Sequence, residues 1–214
     1  MAILKLYGYY KSTCTWRVAT VLYEAKVPFQ FIPVDVLNGE HKTPGFLDKQ
    51  PFGQIPYIDD DGFILYESRA ICRYIAAKHP ESKLVPTDPK RHALFEQAAA
   101  SECFNFEGQA GPIILEIWGK ALSGLKGDED VVSARTAALD AKLDGYNAIL
   151  SKQRYIAGDE LTLVDLYHLP HAPIIQAKTG VMTRKSHVAR WYTDLASRPS
   201  WRAFEDGVKS MLEY

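Results

Sequence analysis

The sequence predicts an α/β unit followed by an all-helical unit. Three observations carry this. The first part of the chain, to about residue 80, spells strand, helix, strand, then strand, strand, helix. A stretch containing Pro80, Pro86 and Pro89 follows and reads as a linker. Beyond Pro89 apolar residues recur at helical spacing and no run reads as a strand. The expected boundaries are residues 1–80 for the α/β unit, 81–89 for the linker and 90–214 for the helical unit.

The elements follow in order. Met1-Ala2-Ile3-Leu4-Lys5-Leu6-Tyr7 reads as a strand that begins at once and stops at Gly8. Residues 15–25 place Val18, Val21 and Leu22 at helical spacing, with Ala19 and Ala25 filling in. Phe29 to Val34 is a second strand, so a right-handed βαβ unit with parallel strands is expected. Pro56-Tyr57-Ile58 and Phe63-Ile64-Leu65-Tyr66, joined through Asp59-Asp60-Asp61-Gly62, form a hairpin. Ser68 can cap the next helix, whose buried face is expected to hold Ala70, Ile71, Tyr74 and Ile75, and which ends before His79-Pro80. This order matches a thioredoxin-like sheet covered by helices. In the second half, Val132, Leu139, Leu143, Tyr146 and Leu150 form one stripe. Thr162 and Asp165 form a capping box, a folding role rather than a chemical one. Pro170 and Pro173 should kink the helix that follows. Trp191, Trp201 and Phe204 are expected to supply core for the last helices.

Composition narrows the function classes. The chain has 214 residues, 47 % hydrophobic and 24 % charged, which suits a globular protein with a real core. Its formal net charge of -1, without a long block of one sign, argues against a nucleic-acid surface. No run is long and apolar enough for a membrane span, and the N-terminus lacks a secretory signal pattern. Cys14, Cys72 and Cys103 are odd in number and lack C-x-x-C spacing, which predicts neither a disulfide framework nor a zinc site and favours a reducing, cytoplasmic setting.

Gln50-Pro51-Phe52-Gly53-Gln54-Ile55-Pro56 and Tyr66-Glu67-Ser68-Arg69-Ala70-Ile71 resemble the glutathione-binding segments of cytosolic glutathione transferases, in order and in spacing. Gly39-Glu40-His41-Lys42 and Asp165-Leu166-Tyr167-His168-Leu169-Pro170 resemble the phi class, found in plants and some fungi. The resemblance runs over nearly the whole chain. It implies a thioredoxin-like N-terminal domain, an all-helical C-terminal domain and a cytoplasmic homodimer. The implied activity is conjugation of glutathione to a hydrophobic electrophile, with reduction of organic hydroperoxides as a companion activity. Glutathione is then the co-substrate, and no metal or other cofactor is implied.

At the entry to the first helix stand Tyr9-Tyr10-Lys11-Ser12-Thr13-Cys14-Thr15, where backbone amides and the positive end of the helix dipole favour an anion. Hydroxyl residues, Ser12 and Thr15, occupy the positions where a thioredoxin carries its two cysteines, so dithiol chemistry is lost. A hydroxyl can instead donate to the sulfur of a bound thiol. A cysteine-type thiol has a pKa near ~8.5, and a shift of roughly 1.5–2 units needs about 2–3 kcal/mol. One hydrogen bond to a charged acceptor supplies roughly 1.5–3 kcal/mol. By position alone Ser12 is equally a helix cap; the resemblance makes it the catalytic serine. Tyr7 is the competing hydroxyl, read as packing, and Cys14 is read as a buried, inert thiol.

By resemblance, Glu67 pairs with the ammonium of glutathione, Ser68 holds its γ-glutamyl carboxylate, and His41 and Lys42 face the glycyl carboxylate. Ile55, before a cis Pro56, presents its backbone to the cysteinyl residue, and Gln54 assists. Phe52 is either a core residue or an aromatic key for a partner subunit. Tyr9, Tyr10, Ile114 and Trp118 are candidates for the apolar substrate, with Ile113 and Ile117 nearby. Arg69 and Trp16 have no assigned role. Two other readings stay open: a non-catalytic binding protein on the same fold, and a thiol transferase that uses Cys14.

Overall fold

The computed structural model describes residues 3–214, so Met1-Ala2, expected to lead into the first strand, lie outside the described residues. β1 (Leu4–Gly8), α1 (Thr13–Glu24) and β2 (Phe29–Pro33) form the expected βαβ unit, with β1 and β2 parallel from Leu4↔Phe29 to Gly8↔Pro33. After the short α2 (Pro44–Leu47), β3 (Tyr57–Asp60) and β4 (Phe63–Tyr66) form the hairpin. Asp61 and Gly62 both have positive φ, as a two-residue Asp-Gly turn requires. β3 pairs antiparallel with β1, which gives the sheet order β2-β1-β3-β4.

Alternation along β1 sorts its two faces. Leu4, Leu6 and Gly8 are buried on one side. Gly8 belongs there because a Cβ would lie 2.5 Å from Oγ1 of Thr15 in α1, so only glycine lets the helix come this close. On the other side Tyr7 stands opposite Tyr57, which stands opposite Tyr66. These rings pack with Val34 and Phe46 in a second cluster.

α3 (Ser68–Lys78) starts one residue earlier than a Ser68 cap would allow, because Glu67 holds the cap position. Its buried face is Ile71, Cys72, Ile75 and Ala76; Ala70 is exposed and Tyr74 only half-buried. The buried stripe is therefore rotated from the expected one, and Cys72 rather than Ala70 completes it.

The helical part runs through α4 (Pro89–Ser101), α5 (Gly108–Ile114), α6 (Lys120–Leu122), α7 (Glu129–Leu150), α8 (Leu163–His168), α9 (Ala172–Thr179), α10 (Ser186–Ala196) and α11 (Pro199–Arg202). Asp88 caps α4 by accepting from the amides of Lys90 and Arg91. The stripe on α7 is buried throughout, from Val132 to Leu150. Asp165, fully buried, is the hub of this unit. Its carboxylate accepts from the amides of Ile156 and Thr162, the Thr162 hydroxyl and the Trp191 indole N–H, each at 2.9–3.0 Å. Burial holds this carboxyl above the usual carboxylate range, and the hydrogen bonds from Ile156, Trp191 and Thr162 offset part of that rise. The prolines do more than kink: α8 ends at His168, and a separate helix starts at Ala172 with Pro173 in its first turn, where no N–H is needed.

The chain divides into two compact units, Met1–Val85 with Pro199–Tyr214, and Pro86–Arg198. This corrects the expectation of one helical unit over 90–214. β2 is an edge strand, and edge amides need partners. Residues from the C-terminal stretch supply them: Phe29 exchanges backbone hydrogen bonds with Met211 at 2.8 and 3.0 Å, and the Phe31 amide donates to Ser210 Oγ at 2.9 Å. Trp201 meets Trp16 edge-on at 5.7 Å, and Phe204 packs on Tyr23 and Phe29. Trp201 and Phe204 thus serve the core of the first unit, while Trp191 serves the second.

Phe204 is fully buried and Phe104 is 77 % exposed. Phe204→Ala is expected to lower the unfolding free energy by about 3–5 kcal/mol and Phe104→Ala by less than about 0.5 kcal/mol, read from urea midpoints.

Candidate functional site

The register of the sheet determines which loops meet. β1 ends at Gly8, opposite the end of β2 at Pro33 and next to Tyr7↔Tyr57 at the start of β3. Tyr57 in turn faces Tyr66, the last residue of β4. The loop to Ser12, the loop to His41 and Lys42, the approach through Gln54 and Ile55, and the turn at Glu67 and Ser68 therefore open at one end of the sheet. Two contacts tie them together. Lys42 Nζ donates to the carbonyls of Gly53 at 2.7 Å and Phe52 at 3.3 Å. Arg17, from α1, donates to Ser68 Oγ at 2.9 Å.

Ser12 is the N-cap of α1, with extended backbone, and its Oγ accepts from the Thr15 amide at 3.4 Å. That contact is long, and it uses an oxygen lone pair and leaves the hydroxyl proton free to donate. Tyr7 is engaged in packing, its ring stacked on Tyr57 at 4.4 Å. Cys14 is half-buried rather than buried, because it sits on the first turn of α1; its Sγ accepts from Arg17 Nη1 at 3.6 Å.

Glu67 is exposed and has φ 67° and ψ 106°. A non-glycine residue held at positive φ is strained, and such strain gathers at ligand-binding positions. Ser68 is buried at 7 % exposure and begins α3. His41 and Lys42 lie in a single 3-10 turn, Glu40–Lys42. Gly53, at φ 58°, lies so close to that turn that a Cβ would be 2.9 Å from the His41 carbonyl. Burial, and then the charge of Lys42, holds the His41 imidazole below its usual pKa. The Ile55–Pro56 bond is cis, as expected. Gln54 is exposed, and its backbone N–H donates to Oε1 of the buried Gln50 at 3.3 Å.

Phe52 is 65 % exposed, so it is not a core residue; its ring meets Tyr66 edge-on at 6.1 Å. Tyr9 and Tyr10 form an edge-on pair at 4.9 Å, and the Tyr10 carbonyl accepts from the Val208 amide at 2.9 Å. In the helical unit Ile113 and Ile114 are buried, whereas Ile117 and Trp118 are half-buried, which leaves Trp118 a better candidate than Ile114 for contact with a ligand.

Arg17 is not among the residues that the sequence motifs single out. It is 1 % exposed, between Trp16 and Val18 on the inward side of α1. The available signal was a charged residue four positions before Val21, inside the apolar stripe, where an arginine must have partners.

Comparisons with known proteins identify the family. Residues 2–77 match the family described as glutathione S-transferase, N-terminal domain, and residues 104–199 match glutathione S-transferase, C-terminal domain. The chain is 44 % identical over 198 residues to glutathione S-transferase PM239X14 of Arabidopsis thaliana, covering 90 % of this chain and 91 % of the relative. It is 39 % identical to glutathione S-transferase hmp2 of Hypomyces subiculosus, covering 93 % and 96 %. Among solved structures, glutathione transferase F7 from Populus trichocarpa superposes with a TM-score of 0.91 at 37 % identity, over 95 % of this chain and 98 % of that one. Glutathione S-transferase I from mais, solved with an atrazine glutathione conjugate, superposes with a TM-score of 0.88 at 33 % identity, over 95 % and 96 %.

The His41 ring is expected to titrate below the usual imidazole midpoint of about 6.5 in a proton NMR titration. Lys42→Gln should raise the midpoint only part of the way back, since Lys42 is the smaller of the two causes.

Proposed function

Because the chain belongs to the glutathione S-transferase family, in its phi class, we propose that it activates the thiol of glutathione through the hydroxyl of Ser12. The chain is a glutathione transferase. The observation that carries the serine reading is the geometry of Ser12: a capping hydroxyl at the start of α1 that accepts from an amide and keeps its proton to donate.

In this reading the thiol proton leaves to solvent and the sulfur anion is held by the Ser12 O–H and the amino end of α1. The needed shift of the thiol corresponds to about 2–3 kcal/mol. A hydrogen bond to a charged acceptor contributes roughly 1.5–3 kcal/mol and the helix terminus roughly 0.3–1 kcal/mol. The two together suffice without a general base. The thiolate then attacks the electrophilic carbon; a C–S bond forms and the leaving group departs with its electron pair. The edge-on Tyr9–Tyr10 pair beside the Ser12 loop offers apolar surface to that electrophile.

Recognition of glutathione is a matter of matched charge. Glu67 meets the ammonium, and the Ser68 hydroxyl, with the start of α3, meets the γ-glutamyl carboxylate. The backbone of Ile55 pairs with the cysteinyl residue, with Gln54 beside it. Lys42 spends two of its three ammonium protons on the Phe52 and Gly53 carbonyls and keeps one, with the His41 ring next to it, for the glycyl carboxylate. An exposed Phe52 fits a homodimer in which each copy's ring enters a cleft of the other's helical unit. A cleft of about 350 Å³ lined by Leu94, Ala98, Ser101, Ala148 and Ile149 has the apolar walls for it.

Ser12→Ala is expected to raise the thiol pKa of bound glutathione by roughly 1–2 units, followed by thiolate absorbance, and to lower kcat/KM by about 10- to 150-fold. Bound thiol that titrates in wild type as it does free in solution would overturn the reading and favour a binding protein. Phe52→Asp should shift the mass in analytical ultracentrifugation from dimer to monomer; an unchanged dimer excludes the Phe52 contact.

A further inference from the structure

Arg17 is a buried cation on α1, within hydrogen-bond reach of Ser68 at the start of α3. It leaves α1 on the inward side, is 1 % exposed, and its Nη1 carries two protons. One points to Ser68 Oγ at 2.9 Å, the other to Cys14 Sγ at 3.6 Å. Ser68 is itself buried and stands at the first position of α3, so this hydrogen bond joins the two helices that flank the site.

A serine hydroxyl that accepts from a guanidinium has its orientation fixed, with its own proton turned away from the donor. That proton is then presented to whatever anion Ser68 meets. The guanidinium stands one hydrogen bond further back, roughly 5–6 Å from such an anion. In a site partly shielded from water, a full charge at that range still attracts. We propose that Arg17 is a positioning residue and a remote counter-charge for the γ-glutamyl carboxylate of glutathione, acting through Ser68 without touching the ligand. This rests on the assignment of Ser68 to that carboxylate. Arg17 is always charged, so the contribution does not vary over the working pH range.

The test separates charge, hydrogen bond and scaffold. Wild type, Arg17→Gln, Arg17→Lys and Ser68→Ala are each titrated by calorimetry with glutathione and with its analogue lacking the γ-glutamyl carboxylate. Arg17→Gln keeps a donor and removes the charge. It is expected to weaken glutathione about 10- to 100-fold and the analogue no more than about twofold, with the kinetic loss falling on KM for glutathione rather than on kcat. Arg17→Lys keeps the charge and should retain the wild-type preference for glutathione over the analogue to within about threefold. Equal losses for both ligands in Arg17→Gln would overturn the proposal and leave Arg17 a packing residue. Should Arg17→Gln not fold, the Arg17→Lys protein decides: a collapsed preference overturns the proposal. If Ser68→Ala weakens both ligands alike while wild type still prefers glutathione, the Ser68 assignment fails, and the Arg17 proposal, which depends on it, is overturned with it.

Discussion

The antiparallel pairing of β3 on β1 is the constraint on which the candidate site depends. A parallel pairing at that position would carry Gln54, Ile55 and the cis Pro56 to the far end of the sheet, away from Ser12. With Tyr7 opposite Tyr57 and Tyr57 opposite Tyr66, the exits of β1, β2 and β4 and the entry of β3 share one edge. A pairing slip of one residue would also exchange the faces of each strand, exposing Leu6 and Ile58 and burying Lys5. The hydrophobic pattern that fixes the core therefore fixes the site as well. Burial of Leu6 and Ile58 and the convergence of the loops are two results of the same register.

Around that edge the fold gives up stability in small amounts. Glu67 occupies a backbone region that glycine would enter without strain. Arg17 is a charge taken out of water, which is tolerated only with good partners. Ser12 caps its helix through a long contact, weaker than the same hydroxyl could make at ordinary distance. By contrast, the Asp165 hub in the helical unit has all its hydrogen bonds at short, ordinary distances, as befits a residue whose work is structural.

Much of this was legible in the sequence, because much of it is local. The strands, the Asp-Gly turn, the α7 stripe and the Thr162–Asp165 box are written in spacing and turn chemistry over a few residues. What escaped depends on distant partners. The apolar spacing of Trp201 and Phe204 shows that they are buried but not in which core; Trp16 on α1 and Phe29 on the edge strand, far earlier in the chain, decide that. Cys72 replaces Ala70 on the buried face of α3 because α1 packs there, and neither helix alone states the angle. Arg17 was overlooked since an arginine within a helix reads as surface until Ser68, fifty-one positions on, is placed beside it. The candidate site residues stand out as a set through family resemblance; the contacts that link them do not.

A further consequence follows from the Phe29–Met211 pairing and the Val208 hold on Tyr10. A ribosome emits this chain from its first residue onward. The helical unit is contiguous, Pro86–Arg198, and can close as soon as Arg198 has cleared the exit tunnel. The unit that begins the chain must wait, with its β2 edge open and Phe29 and Trp16 uncovered, until residues 199–214 have been made. A nascent chain stopped short of Met211 would lack the backbone partner of Phe29 on the β2 edge.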